Sequence, residues 1–455
     1  MNLDPQDLQA VLPGAQSRLL LHSIAAPSGS ALAPRLERAP ILYGDLRPLV
    51  GPFARPVIQV SGPAEALERA ARCLPDGPAK AEAVAVRLRR AGVELAWGAP
   101  RVVPDVASLV RLHRARGASS VELVRADPSL LTEMQVGAYF DAYWRRRVMR
   151  RALCRLGAPR SGRWTPSTLA AVAADAAFWL GVRSAAADSE WERLVRSSYV
   201  IFYYHRIAGE RKAGHERLDV HPRRFESQLR LLRILGFRPL SPSELLAFHS
   251  DANATIPGRR YVLAADDAFA DAVAALRRHA HLHPHVFVCT SYVGAQASWA
   301  DNEQVATWDE LQELERAGGV IESHTRGHSP LPELDQQALE EELTGSLRDL
   351  EAHLSPRSGL LAYPHGSHDE RVRAAAIEAG YRAAFTTEPG RNGAGTDVYC
   401  LRRIGLKDWD GGLALVWKAL TGEFMPWFWE RRRRRLRAAI TSRRAARSPR
   451  PTAER

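Results

Sequence analysis

Three short polar segments each directly follow an apolar run, and their residue types suit hydrolytic chemistry. They are Asp266-Asp267 at the end of YVLAADD, His324 and His328 at the end of VIESHTRGH, and His365 near the end of LLAYPHG. One aspartate and two histidines make a metal-binding set that leaves positions open for water and substrate. A metal in such a set lowers the pKa of its water and polarises a carbonyl, and the adjacent aspartate suits a general base. The pattern therefore favours metal-assisted hydrolysis.

Each motif taken alone has an ordinary structural explanation. Two aspartates after a strand commonly form a loop or a helix cap, and an H-x-x-x-H pair is a weak signal. The four-residue spacing of His324 and His328 predicts a helical turn that places both rings on one side. The shared position of the motifs after apolar runs is what favours a joint site.

The elements around these motifs alternate between short apolar strands and helical patterns over residues 197–410. The predicted strands are Val200–Tyr204, Tyr261–Ala265, Val286–Thr290, Val320–Ser323, Leu360–Tyr363 and Ala383–Thr386, and the predicted helices are Pro222–Leu235, Ala270–His279, Trp308–Ala317, Gln336–His353 and Glu370–Ala379. Such alternation predicts parallel strands with right-handed crossovers, in a barrel or near-barrel. Active sites in these barrels lie at the C-terminal ends of the strands, where all three motifs are expected to converge.

The segment from about Tyr199 to Asp410 resembles the polysaccharide deacetylase family, the NodB-homology domain of carbohydrate esterases. The matching pieces are YYHRI (203–207), VLAADDAFADA (262–272), TWDELQELERAGGVIESHTRGH (307–328), LLAYPHGSHDERV (360–372) and YRAAFTTEPG (381–390). The resemblance implies an α/β fold, a distorted (β/α) barrel of about seven strands. It also implies a hydrolase of carbon–nitrogen bonds other than peptide bonds, which removes N- or O-acetyl groups from sugars with a divalent metal, usually zinc.

The resemblance assigns roles position by position. The catalytic base falls on Asp266, and the metal ligands fall on Asp267, His324 and His328. The backbone N–H of His365 would contact the oxyanion. A related branch of the family supplies its general acid from a YH dipeptide after the first strand, and His205 in YYHRI fits that pattern. His365 is a second candidate acid, and a core or capping role is the alternative for His205.

The chain also departs from the family pattern. The family usually has an aromatic residue before the two aspartates and a glycine after them, where this chain has Ala265 and Ala268. The arginine common at the start of the third motif is Ala362, and no histidine follows His368, although family members often carry their acid near the domain's C-terminus. A non-catalytic carbohydrate-binding relative, or a membrane-tethered accessory protein of glycan synthesis, therefore stays open as an alternative.

Four further histidines alternate along HAHLHPH, at positions 279, 281, 283 and 285. They lie between a predicted helix and a predicted strand, and the family uses none of them. We expect them to be structural or solvated.

The flanking regions carry no recognised chemistry. Residues 1–196 have no Gly-rich phosphate loop, and we interpret them as a mixed, mainly helical accessory region. Its predicted elements are a strand at Pro56–Val60, helical stretches at Ala79–Ala91, Val106–Arg116, Thr168–Val182 and Ser189–Arg196, and a long amphipathic stretch at Leu130–Leu156. Residues 411–455 form an aromatic and Arg-rich tail.

The positive charge of the chain is concentrated in that tail. The 455 residues carry a formal net charge of +12, and residues 431–455, with eleven arginines and one glutamate, account for +10 of it. Two segments mix aromatic residues with arginine, Tyr139–Arg151 and Phe424–Arg435, a pattern that can associate with an anionic membrane surface. Nucleic acid is a weaker expectation because no known nucleic-acid-binding module accompanies the charge.

The cellular compartment of the protein is predicted from its cysteines, its first residues and its most apolar stretch. Four widely spaced cysteines form no CxxC pair, which favours a reducing environment. Residues 1–21 contain no basic segment followed by an apolar run, and the most apolar stretch, Thr168–Val182, is too short to span a bilayer. We therefore expect a cytoplasmic protein, with peripheral association at the inner membrane face as an option.

Overall fold

The computed structural model describes residues 19–25, 57–61, 64–90, 95–97, 101–102, 106–142, 144–156, 167–209, 219–355 and 358–425. The strands are β1 Leu19–Ala25, β2 Val57–Ser61, β3 Leu95–Trp97, β4 Arg101–Val102, β5 Ser198–Tyr204, β6 Phe237–Pro239, β7 Arg259–Ala265, β8 His285–Val288, β9 Gln296–Ala297, β10 Glu303–Gln304, β11 Val320–Ser323, β12 Leu360–Ala362, β13 Ala383–Phe385, β14 Asn392–Gly393 and β15 Ile404–Gly405. The helices are α1 Ala64–Ala71, α2 Lys80–Arg90, α3 Val106–Ala126, α4 Trp144–Leu156, α5 Ser167–Ala185, α6 Asp188–Val195, α7 Pro222–Ile234, α8 Pro242–Ser250, α9 Ala270–Arg277, α10 Trp308–Arg316, α11 Gln336–His353, α12 Glu370–Glu378 and α13 Gly412–Thr421.

The N-terminal region joins a small sheet to a group of helices. Strand β1 pairs antiparallel with β2 and parallel with β3 and β4. The amphipathic stretch Leu130–Leu156 is helical only in its second half: two short 3-10 turns precede α4, which begins at Trp144. The physical reason is local, because Asp127 caps a turn that begins with Pro128 and so starts a separate short element. Helix α3 runs ten residues beyond the predicted end at Arg116.

The large sheet forms a curled half-barrel. Its strand order is β13-β12-β11-β8-β7-β5-β14, with β15 added beside β5 and β6 beside β7. The ladders between β5, β7, β8, β11, β12 and β13 are all parallel, whereas β14 pairs antiparallel with β5. The predicted α/β fold with a distorted barrel of about seven strands is confirmed by the seven strands on this path.

The central strands are buried on both faces, as parallel strands covered by helices must be. In β5, six of the seven residues of SYVIFYY are buried, and five successive residues of β7 are buried as well. One hydrophobic core joins Trp179 and Phe140 of the N-terminal region to Tyr199 and Phe385 of the large sheet. The boundary that we predict between residues 196 and 197 is therefore crossed by continuous packing, and it stays a prediction.

Side-chain caps fix where the helices around the site begin. Thr307 and Glu310 form a reciprocal capping box at the start of α10, which binds two otherwise unsatisfied backbone N–H groups. The predicted N-cap Asp335 accepts a hydrogen bond of 2.8 Å from the backbone N–H of Ala338 at the start of α11. Such caps contribute roughly 1 kcal/mol each to helix stability. They set the ends of the helices that pack behind the strands of the site.

The alternating histidines lie in different structural environments. His279 pairs with Glu226 at 2.7 Å, and His283 adopts a left-handed backbone conformation at a turn. His285 is fully buried in β8 beside Phe287, and burial lowers the pKa of its ring to about 3. None of these three side chains belongs to the cluster formed by the predicted metal ligands.

Among the described residues, no helix is both long enough and apolar enough to cross a lipid bilayer.

Candidate active site

The three motifs meet at the C-terminal edge of the half-barrel. Asp266 follows β7, His324 follows β11, and the segment containing His365 follows β12. Parallel pairing keeps these strand ends level, with Tyr204 opposite Ala265 and Ser323 opposite Leu361. The convergence expected from strand order is therefore present.

The three predicted metal ligands form one compact cluster. Nε2 of His328 lies 3.5 Å from Oδ1 of Asp267, and Nε2 of His324 lies 3.8 Å from the same oxygen. All three donor atoms lie within 4.8 Å of one another. Donors of a tetrahedral site with bonds of 2.0–2.1 Å are separated by roughly 3.3 Å, so a small contraction of this cluster would suit a metal.

The ring of His324 is fixed by its second nitrogen. Nδ1 donates a hydrogen bond to the carbonyl oxygen of Ala362 at 2.7 Å, which leaves the lone pair of Nε2 facing Asp267. A backbone carbonyl on the far nitrogen is the usual way in which a metal-binding imidazole is oriented. Burial lowers the pKa of His324 and lowers that of His328 to about 2, so both rings are neutral at neutral pH.

The helical turn predicted for His324–His328 is wrong. The segment is a loop in which Thr325 and His328 adopt positive φ angles of 67° and 61°. Glu342 holds the loop by accepting hydrogen bonds of 2.9 Å from the backbone N–H groups of Arg326 and Gly327. The two rings nevertheless lie with their centroids 5.1 Å apart, because the loop turns back where a helix would have continued.

The two adjacent aspartates have opposite electrostatic surroundings. Burial and the neighbouring charge of Asp266 raise the pKa of Asp267 to about 8. Burial also opposes ionisation of Asp266, but the charge and hydrogen bond of Arg403 outweigh it, and the pKa of Asp266 falls to about 2. Asp266 is therefore stable as a carboxylate, whereas ionisation of Asp267 is disfavoured.

The residues of the cluster fit a divalent cation. Oδ1 of Asp267 is buried and has no hydrogen-bond partner, which is costly for a carboxylate unless a positive charge reaches it. The two imidazole nitrogens nearest to it are neutral acceptors and cannot supply that charge. Two imidazoles and one carboxylate form a common set of protein ligands for zinc and for other divalent metals. The orphaned oxygen is therefore the structural reason to place a metal there.

Backbone strain is concentrated at the same site. Among the described residues, nine that are not glycine have positive φ, and five of these belong to the three motifs: Asp267, Ala268, Thr325, His328 and His365. Each such conformation costs of order 1–3 kcal/mol, and such residues cluster at functional sites. Ala268, which stands where the family usually has glycine, has a φ of 50°, a conformation that glycine adopts without strain.

The two predicted acids lie on different sides of the cluster. His205 follows β5 directly, beside Asp266, whose backbone N–H donates to the carbonyl of Tyr204 at 3.0 Å. Burial lowers the pKa of His205 to about 4, although the charge of Asp266 raises it. The ring of His365 is exposed and lies with its centroid 4.6 Å from that of His328. Gly366 follows at a φ of 72°, where a Cβ atom would lie 2.6 Å from the backbone nitrogen of Thr387.

Sequence reasoning missed Arg403, the ion-pair partner of Asp266. Its Nη1 lies 2.6 Å from Oδ1 of Asp266, its Nε donates to the carbonyl of Thr386 at 2.7 Å, and its side chain is fully buried. The arginine expected at position 362 is absent, and this guanidinium arrives from the residue before β15 instead. The sequence does contain a signal for this ion pair. Arginine lies inside the apolar run LRRIGL, and an arginine that is buried with its apolar neighbours requires a partner.

An aromatic pair that was also missed forms one wall of the site. The Trp299 ring stacks on His328, with centroids 4.5 Å apart and planes 12° apart, and Tyr292 packs edge-on against Trp299 at 4.6 Å. Trp299 lies between β9 and β10, a hairpin that was not predicted. Stacking of this kind orients the imidazole of His328 and presents an apolar surface beside the cluster.

We predict that Arg403→Met lowers kcat/KM for acetate release by about 10- to 100-fold, because the carboxylate of Asp266 loses the group that holds it. Arg403→Lys should lie between this variant and the wild type, since it keeps the charge but not the planar fork. Metal content should not change. The matched control is Arg402→Met, which breaks a peripheral pair with Asp141. Equal losses in the two Met variants would contradict a specific role for Arg403.

The fold and the site together define a class of protein: a half-barrel with an ionised carboxylate beside an Asp-His-His cluster. The comparison with protein families identifies it further. Residues 260–384 match the family model described as polysaccharide deacetylase. The predicted resemblance is confirmed. The family consists of hydrolases that act on carbon–nitrogen bonds other than peptide bonds.

Individual proteins are also similar to parts of this chain. The protein YxkH of Bacillus subtilis (strain 168), which carries a polysaccharide deacetylase name, is 26% identical over 210 residues, covering 45% of this chain and 70% of YxkH. The deacetylase PplD of Streptococcus pyogenes, solved with acetate, is 22% identical with a TM-score of 0.43, covering 50% of this chain and 98% of PplD. IcaB from Ammonifex degensii is 21% identical with a TM-score of 0.42, covering 50% of this chain and 97% of IcaB.

Proposed function

We propose that this chain is a metal-dependent deacetylase that removes acetyl groups from the N-acetylated, or O-acetylated, sugars of a polysaccharide or glycan. The observation that carries the proposal is the buried Oδ1 of Asp267, which faces two neutral imidazoles beside a separately ionised carboxylate. The segment's match to the polysaccharide deacetylase family model supports the substrate class. We also propose the division into an N-terminal region, a deacetylase domain over 197–410 and a tail.

The metal would be held by Asp267, His324 and His328. Their neutral nitrogens and single carboxylate favour zinc over magnesium or calcium, which prefer oxygen ligands. When bound, a divalent cation supplies Lewis acidity at the acetyl carbonyl and acidifies water. The exposed side of the cluster at His365 leaves room for the substrate.

Two side chains are assigned to proton transfer, one as the base that activates water and one as the acid that protonates the leaving amine. Asp266, held ionised by Arg403, takes a proton from the attacking water. The backbone N–H of His365 donates a hydrogen bond to the carbonyl oxygen as negative charge develops on it. His205, which lies beside Asp266, relays the proton taken from water to the departing amine as the general acid, with His365 as the second candidate. Water and the acetamide are thereby converted into acetate and a free amino sugar.

Acetate release from a panel of N- and O-acetylated oligosaccharides tests this function. We expect release from at least one N-acetylated oligosaccharide, its loss on dialysis against a chelator, and its recovery on addition of zinc. Oligosaccharide binding without acetate release, with a full metal load, would contradict the proposal and favour the non-catalytic carbohydrate-binding alternative.

A further inference from the structure

Helix α4, which lies largely within the aromatic- and arginine-rich segment Tyr139–Arg151, packs against the helix α13 that precedes the second such segment. The backbone N–H of Trp144 donates to Oε1 of Glu423 at 2.8 Å across 279 residues of sequence. The rings of Trp144 and Trp417 pack edge to face with centroids 5.0 Å apart, and Arg147 donates to the carbonyl of Thr421 at 2.6 Å. Helices α4 and α13 therefore present one joint surface.

The outward side of α13 in this surface is apolar. Leu413 is 76% exposed and Leu420 is 46% exposed, and Phe424, just beyond the helix, is 55% exposed. Trp417 lies between them at helical spacing and is half-buried. The only charged residue of α13, Lys418, points inward to Asp410 at 2.6 Å. An exposed row of large apolar side chains without charges is unusual and marks an interaction site.

Positive charge borders this apolar row. Helix α4 contains six arginines and no acidic residue, and Arg145 and Arg151 are exposed. Val148, three residues from each of these arginines on α4, is 54% exposed. The sequence that continues from Phe424 contains Trp427, Phe428 and Trp429 and then the run Arg431–Arg435. Apolar and aromatic residues flanked by arginines match the boundary between acyl chains and anionic headgroups.

We propose that the surface formed by Leu413, Trp417, Leu420, Phe424, Val148 and Arg145, here called the docking surface, binds the surface of an anionic lipid bilayer. The apolar side chains enter the headgroup–acyl boundary, and the arginines contact lipid phosphates. The charge complementarity and the aromatic, arginine-rich continuation of the chain favour this occupant. Nucleic acid would use the arginines but would leave the exposed leucines and phenylalanine in water.

Vesicle co-sedimentation of the full chain tests the docking surface. The probes are phosphatidylcholine vesicles with and without phosphatidylglycerol. We expect binding to the anionic vesicles, and a loss of about tenfold or more in the partition coefficient for the triple variant Leu413→Ser/Leu420→Ser/Phe424→Ser. Higher salt should weaken wild-type binding because the arginine contribution is screened. The matched control is Ile377→Ser on α12, which removes a side chain that is 50% exposed elsewhere.

Thermal denaturation verifies that the triple variant remains folded, so that lost binding is not unfolding. Wild-type affinity of the triple variant for anionic vesicles would overturn the proposal, as would an equal loss in Ile377→Ser. One further result would overturn it by naming another occupant: duplex DNA bound more tightly than the vesicles would favour nucleic acid.

Discussion

Asp266→Asn should lower kcat for acetate release by about 10³-fold while the protein stays folded and keeps its metal. The substitution removes the only group that the proposed mechanism uses to take a proton from water. The amide is nearly isosteric, and its oxygen can still accept the hydrogen bond that Arg403 now donates at 2.6 Å. Packing and orientation of Arg403 are therefore preserved, and the loss is confined to proton transfer.

Steady-state kinetics with an N-acetylated oligosaccharide, together with metal analysis, measures this effect. Asp309→Asn is the matched control, because it makes the same chemical change at an exposed position on α10. Asp266→Asn with a kcat close to the wild type would mean that another group is the base. A loss confined to KM would instead indicate that Asp266 only orients the substrate.

Asp267→Ala and His328→Ala should each abolish metal binding and acetate release. Purified wild-type protein is expected to contain about one divalent metal ion per chain, since the cluster offers three donors in a single site. Each substitution leaves two donors, which are too few to compete with water or a chelator. Acetate release should fall to the background of the assay, a larger loss than for Asp266→Asn.

Stability gives a second readout that does not depend on activity. In the presence of a chelator, Asp267→Asn should have a higher Tm than the wild type, because a buried carboxylate oxygen without a partner is removed. Without chelator the order should reverse, since metal binding stabilises only the intact site. His279→Ala is the control for metal content, because that ring pairs with Glu226 away from the cluster. A full metal load in Asp267→Ala would refute the assigned ligand set.

Much of the half-barrel could be predicted because its signals are local. Apolar runs of four to seven residues followed by polar ones indicated most of the parallel strands, and capping residues such as Thr307 and Asp335 indicated where helices begin. Short strands were missed, among them β6 and the β9–β10 hairpin, and helix α8 was missed although Ser241 and Glu244 form a capping box at its start. Two-residue strands carry too few residues for periodicity to be visible.

The sequence by itself determined which residues stand at the ends of β7, β11 and β12, because a strand end and the polar residue after it are neighbours in the chain. Tertiary structure decided which groups surround them. Arg403 reaches Asp266 across 137 positions, and Trp144 meets Trp417 at a surface that neither segment forms alone. Ion pairs and packed rings of this kind depend on distances in space, and sequence periodicity records only the spacing along one element. Tertiary structure also decided the loop that turns His328 back toward Asp267, because Glu342 on α11 accepts hydrogen bonds from the backbone of that loop.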